Sequence, residues 1–504
     1  MFSGVQGTRF KTETLVELSN ELSDRNIPRD EGRSSILPAG FTYLGQFIDH
    51  DITRMKRLTE IPTDGPVDVN KLVQERTPSL DLDSLYGGGL NSRSVPYTDD
   101  GKFYSEYVCS DGLIYDLPRG VVSGDYKARV GDSRNDENFL VAQMHVLFMN
   151  LHNKLIDAHY EESPFENFES VGVDSSVFNT GDRNLPSVDA QINARKSIRE
   201  KVFAAVRKEV TLLYQLAIVN DFLDRLLDET VKDHLFPVGS LPTSRLMEQI
   251  SGEDIQLPIE FSGAAFRFGH SLVKSGYFLN PGLSKTSLRK LFALTSRGDL
   301  ASQHARFEHR VDWAKFFEIR NVGNFNHASK LRPVVVSALR EMVNEMPGNQ
   351  NLLTRNLLRG KELDLPCAQD IVRHIESQHH AYADAVGLVE ITERELASYK
   401  GVGKLLQRRG LEKKTPLWIY ILMEPYYRGG ISANPECSRL GKLGSIIVGE
   451  TFRSLLEASA TSIYDTGIEW AKLRVFSKSK ELDESSSSWK ARVDMKFIVN
   501  IVND

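Results

Sequence analysis

Two long stretches, "ENFLVAQMHVLFMNLHNKLIDAHY" at 137–160 and "ARKSIREKVFAAVRKEVTLLYQLAIVNDFLDRLL" from 194, repeat apolar residues at three- and four-residue intervals. That period belongs to an α-helix with one buried face, and no strand carries it. Residues 40–55, 259–275, 285–297, 330–346 and 439–457 share the pattern. Strand-like alternation is rare; its best instance, "ARVDMKFIVNIV" at 491–502, reads as a terminal edge strand or arm. A chain so patterned is mainly α with little β, and it shows no internal repeat.

Composition narrows the function classes. At 504 residues, 40% hydrophobic and 26% charged, the chain can bury a large core. A net charge of −6, with lysines and arginines scattered, argues against a nucleic-acid surface. No apolar run reaches the roughly 18 residues of a membrane span, and "MFSGVQGTRFKTE" lacks a signal-peptide core, so a cytoplasmic location is expected. Three cysteines, Cys109, Cys367 and Cys437, far apart, read as reduced and buried. "YKGVGKLLQRRG" at 399–410 lacks the spacing of a phosphate loop, and there is no His-Glu-x-x-His or Gly-x-Ser-x-Gly.

The segment "FTYLGQFIDHDIT" at 41–53 sets an amide, two carboxylates and an imidazole into an apolar helix. Gln46, Asp49 and His50 fall at i, i+3 and i+4 and share a face, while Asp51 points about a quarter turn away. Either a polar surface stripe or a functional face fits that spacing.

Later motifs bear on the choice. Gly-Gln-x-x-Asp-His-Asp resembles the distal helix of the animal-type haem peroxidases, the group of myeloperoxidase and lactoperoxidase, in its bacterial branch. "GDSRNDEN" at 131–138 and "EFSGAAFRFGHSLV" at 260–273 resemble that family's arginine-bearing segment and proximal helix, and they follow in family order. The resemblance spans roughly residues 35–460. It implies one large, single-domain helical fold with an N-terminal arm at 1–34, a surface insertion at 162–190 and a C-terminal extension at 461–504.

The resemblance also implies roles. His50 is the acid–base catalyst that moves a proton between the two oxygens of hydrogen peroxide, with Gln46 as its hydrogen-bonding support. Arg134 steadies developing negative charge. His270 is the axial ligand of the iron of haem b, and Asn356, in "TRNLLRG" with Arg359, accepts from its other ring nitrogen. Asp49 and Glu137 match the carboxylates that can form ester links to haem, whereas Asn138 stands where myeloperoxidase has a methionine, so no sulfonium link can form. Arg267 occupies the place of the radical tyrosine of cyclooxygenases and α-dioxygenases and cannot hold that radical; Arg267 or Arg359 would meet a haem propionate.

A second cofactor follows from "RTPSLDLDSLYGGG" at 76–89. Its alternate oxygen-bearing residues aim to one side of an extended loop, as a hard cation needs. It resembles the family's calcium loop, in which Thr77, Ser79, Asp81 and Asp83 would join Asp51 around Ca2+. The helix "MHVLFMNLHNKL" departs from the family in having Asn150 and Lys154 where arginines are usual, so a local rearrangement is expected there, and His145 and His152 read as core hydrogen-bonders.

Together these readings predict a haem peroxidase that reduces hydrogen peroxide through a ferryl intermediate and oxidises a small donor: a halide, thiocyanate or a phenol-like compound. Two alternatives stay open. One is a haem oxygenase or peroxygenase-like tailoring enzyme acting on a specific metabolite or fatty acid; the other is a haem-binding protein without turnover.

Overall fold

A computed structural model describes residues 1–2, 4–23, 35–53, 78–122, 125–161, 188–237, 242, 244–247, 256–295, 307–320, 324–342, 350–428, 438–468, 470, 473 and 493–503. These residues are mainly helical. The longer helices are α1 (Thr12–Ser23), α2 (Gly40–Ile52), α3 (Phe139–Glu161), α4 (Val188–Ala217), α5 (Leu352–Glu362), α6 (Ala368–Gln378), α7 (Leu417–Arg428), α8 (Lys442–Ala458) and α9 (Met495–Asn503). Two antiparallel two-stranded ribbons pair β1 (Arg119–Val122) with β2 (Asp125–Ala128) and β3 (Gly276–Tyr277) with β4 (Thr286–Ser287). Most of the 162–190 insertion, residue Thr77 and Cys437 lie outside the described residues.

The chain divides into two compact units. The first comprises Met1–Leu80, Ile218–Leu291 and Asp312–Ser459; the second comprises Asp81–Ala217, Phe292–Val311 and Ala460–Asp504.

In the first unit, α2 buries Phe41, Tyr43, Leu44, Phe47, Ile48 and Ile52. Each such side chain contributes roughly 1.5–3 kcal/mol by leaving water. Two glycines let neighbours close on this helix: a Cβ at Gly40 would lie 2.6 Å from the Phe317 ring, and one at Gly45 3.2 Å from the Phe222 ring. Phe222 belongs to a π-helical turn, Ile218–Leu223, packed against α2. The helix closes on Thr53, whose backbone N–H and hydroxyl both donate to the Asp49 carbonyl, at 2.9 and 2.7 Å.

The stretch at 259–275 is not one helix. It breaks into Ile259–Gly263, a 3-10 turn at Ala265–Phe268 and a last turn at Gly269–Leu272, with Ala264 at φ −142° and ψ −60° between the first two. Phe261 and Phe266 stack face to face across that break, with centroids 4.6 Å apart, so aromatic packing replaces the lost helical hydrogen bonds. Among the described residues of the expected helices at 285–297 and 330–346, the α-helical turns are Leu288–Ala293 and Ser337–Arg340. At the start of the almost wholly buried α8, Glu424 of α7 accepts from the N–H groups of Leu443 and Gly444, at 2.8 and 3.2 Å. It supplies two of the acceptors that a helix start lacks, and burial pushes its carboxyl up to about 7.

In the second unit α3 packs against α4 and α9. The segment read as a terminal strand is in fact α9. Met495, Ile498, Val499 and Val502 are its buried residues, spaced i, i+3, i+4 and i+7, so the helical period outcompetes the apparent alternation. Asn150 of α3, in the place of an expected arginine, clamps a single backbone position: its carbonyl accepts from Ile114 N and its amide donates to Ile114 O, both at 2.9 Å. Asn153 does the same to Phe103, at 2.7 and 3.0 Å.

Candidate active site

His270 sits in the last turn of the broken segment, and that turn packs against α2. Its Nδ1 lies 3.1 Å from Asn356 Oδ1 on α5. Arg267 Nη1 approaches the same oxygen at 3.4 Å. Two donors facing one atom fix which end of the Asn356 amide is oxygen, and they place the imidazole proton on Nδ1. The Nε2 atom then carries a lone pair and makes no hydrogen bond among the described residues. Burial pushes His270 down to about 3, the Arg267 guanidinium adding repulsion, so the ring stays neutral. A neutral imidazole held at one nitrogen and open at the other suits axial ligation of haem iron.

The surroundings also fit a bound anionic group. Arg267 donates from Nε to Ser262 O at 3.0 Å, and its backbone carbonyl accepts from the Trp418 indole at 3.2 Å. Burial lowers it to about 10; Asp49 opposes that shift while Arg359 and Arg355 add to it. Three guanidiniums converge there, one positive charge more than Asp49 and Glu362 offset, and negatively charged carboxylates would relieve it. The Asn356 amide nitrogen is buried with no acceptor, a state that costs roughly 1–3 kcal/mol until something accepts from it. These residues therefore fit haem: His270 would hold the iron and the arginines would meet its carboxylates.

On α2, Gln46 and Asp49 are half-buried while His50 and Asp51 are closed off from solvent, at 2% and 0% exposure. The helix is continuous over these residues, so Gln46, Asp49 and His50 do share a face.

The second unit holds the arginine segment. Asp132 is the N-cap of the short 3-10 turn Ser133–Asp136 and accepts from Arg134 N at 2.9 Å. It also grips the Arg134 guanidinium at two points, Nε at 3.1 Å and Nη2 at 2.9 Å. Asp136 joins Asp116 in holding the buried Arg119, the closest contact being 2.8 Å. Asn135 reaches His145 Nδ1 at 3.0 Å. Arg134, Asn135 and Asp136 thus each have a fixed partner, a geometry that keeps a long side chain from wandering. Glu137 follows the turn half-buried, its carbonyl accepting from the Thr295 hydroxyl at 3.4 Å.

The residues expected to hold calcium have partners of their own. Asp81 turns back to accept from Asp83 N at 3.0 Å, and Asp83 is half-exposed and paired with Arg207 Nη2 at 2.7 Å. Ser79 shares a hydrogen bond with Ser459 at 3.3 Å. Asp51 and Ser79 belong to the first unit and Asp81 and Asp83 to the second, and Thr77 lies outside the described residues. Among the described residues no group of three or more histidine, cysteine or acidic side chains is gathered to hold a metal.

Three participants escaped the sequence reading. Asp132 carried a readable signal, an aspartate opening a turn two residues before the arginine. Arg355 and Trp418 carried none.

The animal haem peroxidase model matches residues 63–455. No curated protein matches by sequence. Among solved structures, peroxidase A from Dictyostelium discoideum is similar at a TM-score of 0.57 and 16% identity, over 97% of this chain and 90% of that one. The fatty acid α-dioxygenase of Oryza sativa gives 0.56 and 13%, over 100% and 81%. That of Arabidopsis thaliana gives 0.53 and 15%, over 99% and 76%. At such identities the likeness establishes a shared fold and nothing finer.

Proposed function

Because the chain belongs to the animal haem peroxidase family and is a haem peroxidase oxidoreductase, we propose that it reduces hydrogen peroxide and oxidises a small soluble donor, such as a halide, thiocyanate or a phenol. The observation that carries this reading is His270, neutral, anchored to Asn356 through one nitrogen and open at the other. Haem bound there supplies an iron centre that exchanges electrons with peroxide. The protein supplies the rest. His50 accepts the peroxide proton at a ring nitrogen and returns it to the departing oxygen, Gln46 orients that ring, and Arg134, braced on Asp132, stabilises the charge that develops. Arg267 in the place of a radical tyrosine favours this reading over fatty-acid dioxygenation, despite the dioxygenase likeness in fold.

Arg134→Ala tests it by stopped-flow mixing of the haem-loaded protein with peroxide. The first spectral change should slow by about 10²–10³, the cost of one removed charge-stabilising donor. An unchanged rate would sink the assignment. Ester links through Asp49 and Glu137 belong to the same proposal, tested by whether haem stays with the polypeptide in acid-acetone. Calcium held by Asp51, Thr77, Ser79, Asp81 and Asp83 is a further part, supported by the family order of those residues. Chelation should lower the melting temperature, and an unmoved transition counts against the ion.

A further inference from the structure

Three tyrosines meet on the surface of the first unit. Tyr426 and Tyr427 end α7, and Tyr399 follows the short helix Glu393–Ser398. The Tyr399–Tyr426 centroids are 5.3 Å apart, Tyr426–Tyr427 4.9 Å and Tyr399–Tyr427 6.0 Å. The three rings differ in freedom. The Tyr427 phenol donates to the Glu395 carbonyl at 2.7 Å and sits 3.3 Å from the Ser398 hydroxyl. Tyr399 is half-buried at the end of a helix whose start is locked by a capping box between Thr392 and Glu395. Tyr426 is 55% exposed, and its hydroxyl makes no hydrogen bond among the described residues.

We propose that Tyr426 and Tyr399 are a site of oxidative cross-linking, joined by a carbon–carbon bond between the two rings when the enzyme turns over. The inference rests on the peroxidase reading, which supplies the oxidant as one-electron-oxidised donor. Two donor radicals, formed at the expense of one hydrogen peroxide, each take an electron and a phenolic proton from one tyrosine and are restored. The two tyrosyl radicals couple at the ring carbons beside the hydroxyls. The two displaced ring hydrogens return to the phenolic oxygens. In sum, two tyrosines and one peroxide give one dityrosine and two waters.

Geometry selects the pair. Tyr426 and Tyr427 are consecutive on a helix and leave it about 100° apart, so a bond between them would strain both side chains. Tyr427 is also tethered. Tyr426 needs only rotation about its own side-chain bonds to meet Tyr399, and no hydrogen bond among the described residues resists that motion. The link would staple the end of α7 to the Glu393–Ser398 helix and remove loop entropy from the unfolded chain, as any covalent bridge does.

The test treats haem-loaded protein with peroxide and a phenolic donor, follows donor oxidation in the same tube, then digests the product. Peptides carrying Tyr399 and Tyr426 should appear joined and lighter by two hydrogen atoms, with dityrosine fluorescence. Tyr426→Phe should lose both signals, and Tyr427→Phe should keep them. Donor oxidation without the link, or a link that persists in Tyr426→Phe, overturns the inference. Absent donor oxidation would fault the peroxidase reading instead; photochemical one-electron oxidation of the same protein then decides, since the pair should still join, and failure to join overturns the inference.

Discussion

The chain buries histidines in two manners. His152, on α3 of the second unit, has both nitrogens spoken for: Tyr86 Oη lies 3.1 Å from Nδ1 and the Gly101 carbonyl 3.1 Å from Nε2. His270, in the first unit, has Asn356 on one side and, among the described residues, no partner on the other. Both rings are neutral, pushed down by burial to about 4 and about 3. Depressed basicity therefore does not separate the two rings; the count of satisfied nitrogens does.

The largest effect that can break this contrast is on haem itself. His270→Ala should abolish the Soret band of purified protein, while His152→Leu should leave it intact; equal loss in both variants would erase the distinction. Next is the partner amide. Asn356→Leu should weaken haem retention by roughly 10–100-fold, the usual toll for removing a ligand's supporting hydrogen bond. Asn356→Asp should retain haem but lower the iron midpoint potential, because a carboxylate makes the imidazole more electron-donating. Redox titration reads the difference.

A smaller effect is expected on stability. His152→Leu leaves the Tyr86 hydroxyl and the Gly101 carbonyl without their partner, about 1–3 kcal/mol for each unsatisfied group, visible by chemical denaturation. The smallest is a pH slope. The unfolded histidine titrates near 6.5, above the folded values of about 3 for His145 and about 4 for His152, so the unfolded chain binds the extra protons and acid weakens the fold from pH 6.5 downwards. Glu424 works the other way: its folded value of about 7 exceeds the unfolded 4.5, so its contribution is present at low pH and fades as pH rises through that window. Glu424→Gln should therefore steepen the loss of melting temperature between pH 6.5 and 4.5. A parallel curve would show that the carboxyl does not titrate there.

Much of this was legible in the sequence, unevenly. The helical class and α2 follow from a period that burial alone enforces, so no distant residue was needed to see them. The proximal segment was legible in its residues and not in its shape: the helix breaks at Ala264, with Phe261 and Phe266 stacked across the break, and no local pattern reports that. The terminal α9 was misread because "MKFIVNIV" satisfies two periods at once, and α3 settles which. Asn150 looked like a missing arginine; its clamp on Ile114 needs a partner distant in the chain. In the acidic loop the spacing of the oxygens was legible, but the pairing of Asp83 with Arg207, distant in the chain, was not.

Gly131 carries a last consequence. A Cβ there would lie 2.7 Å from the Ser84 carbonyl oxygen and 2.8 Å from that of Asp83, contacts with backbone that cannot yield. In a survey of every substitution along the chain, position 131 should thus be as intolerant as Arg134, although it touches no reagent and holds no charge. Intolerance mapped onto this turn would overstate how many residues do chemistry, and the surplus would measure how closely two stretches of main chain have been pressed together.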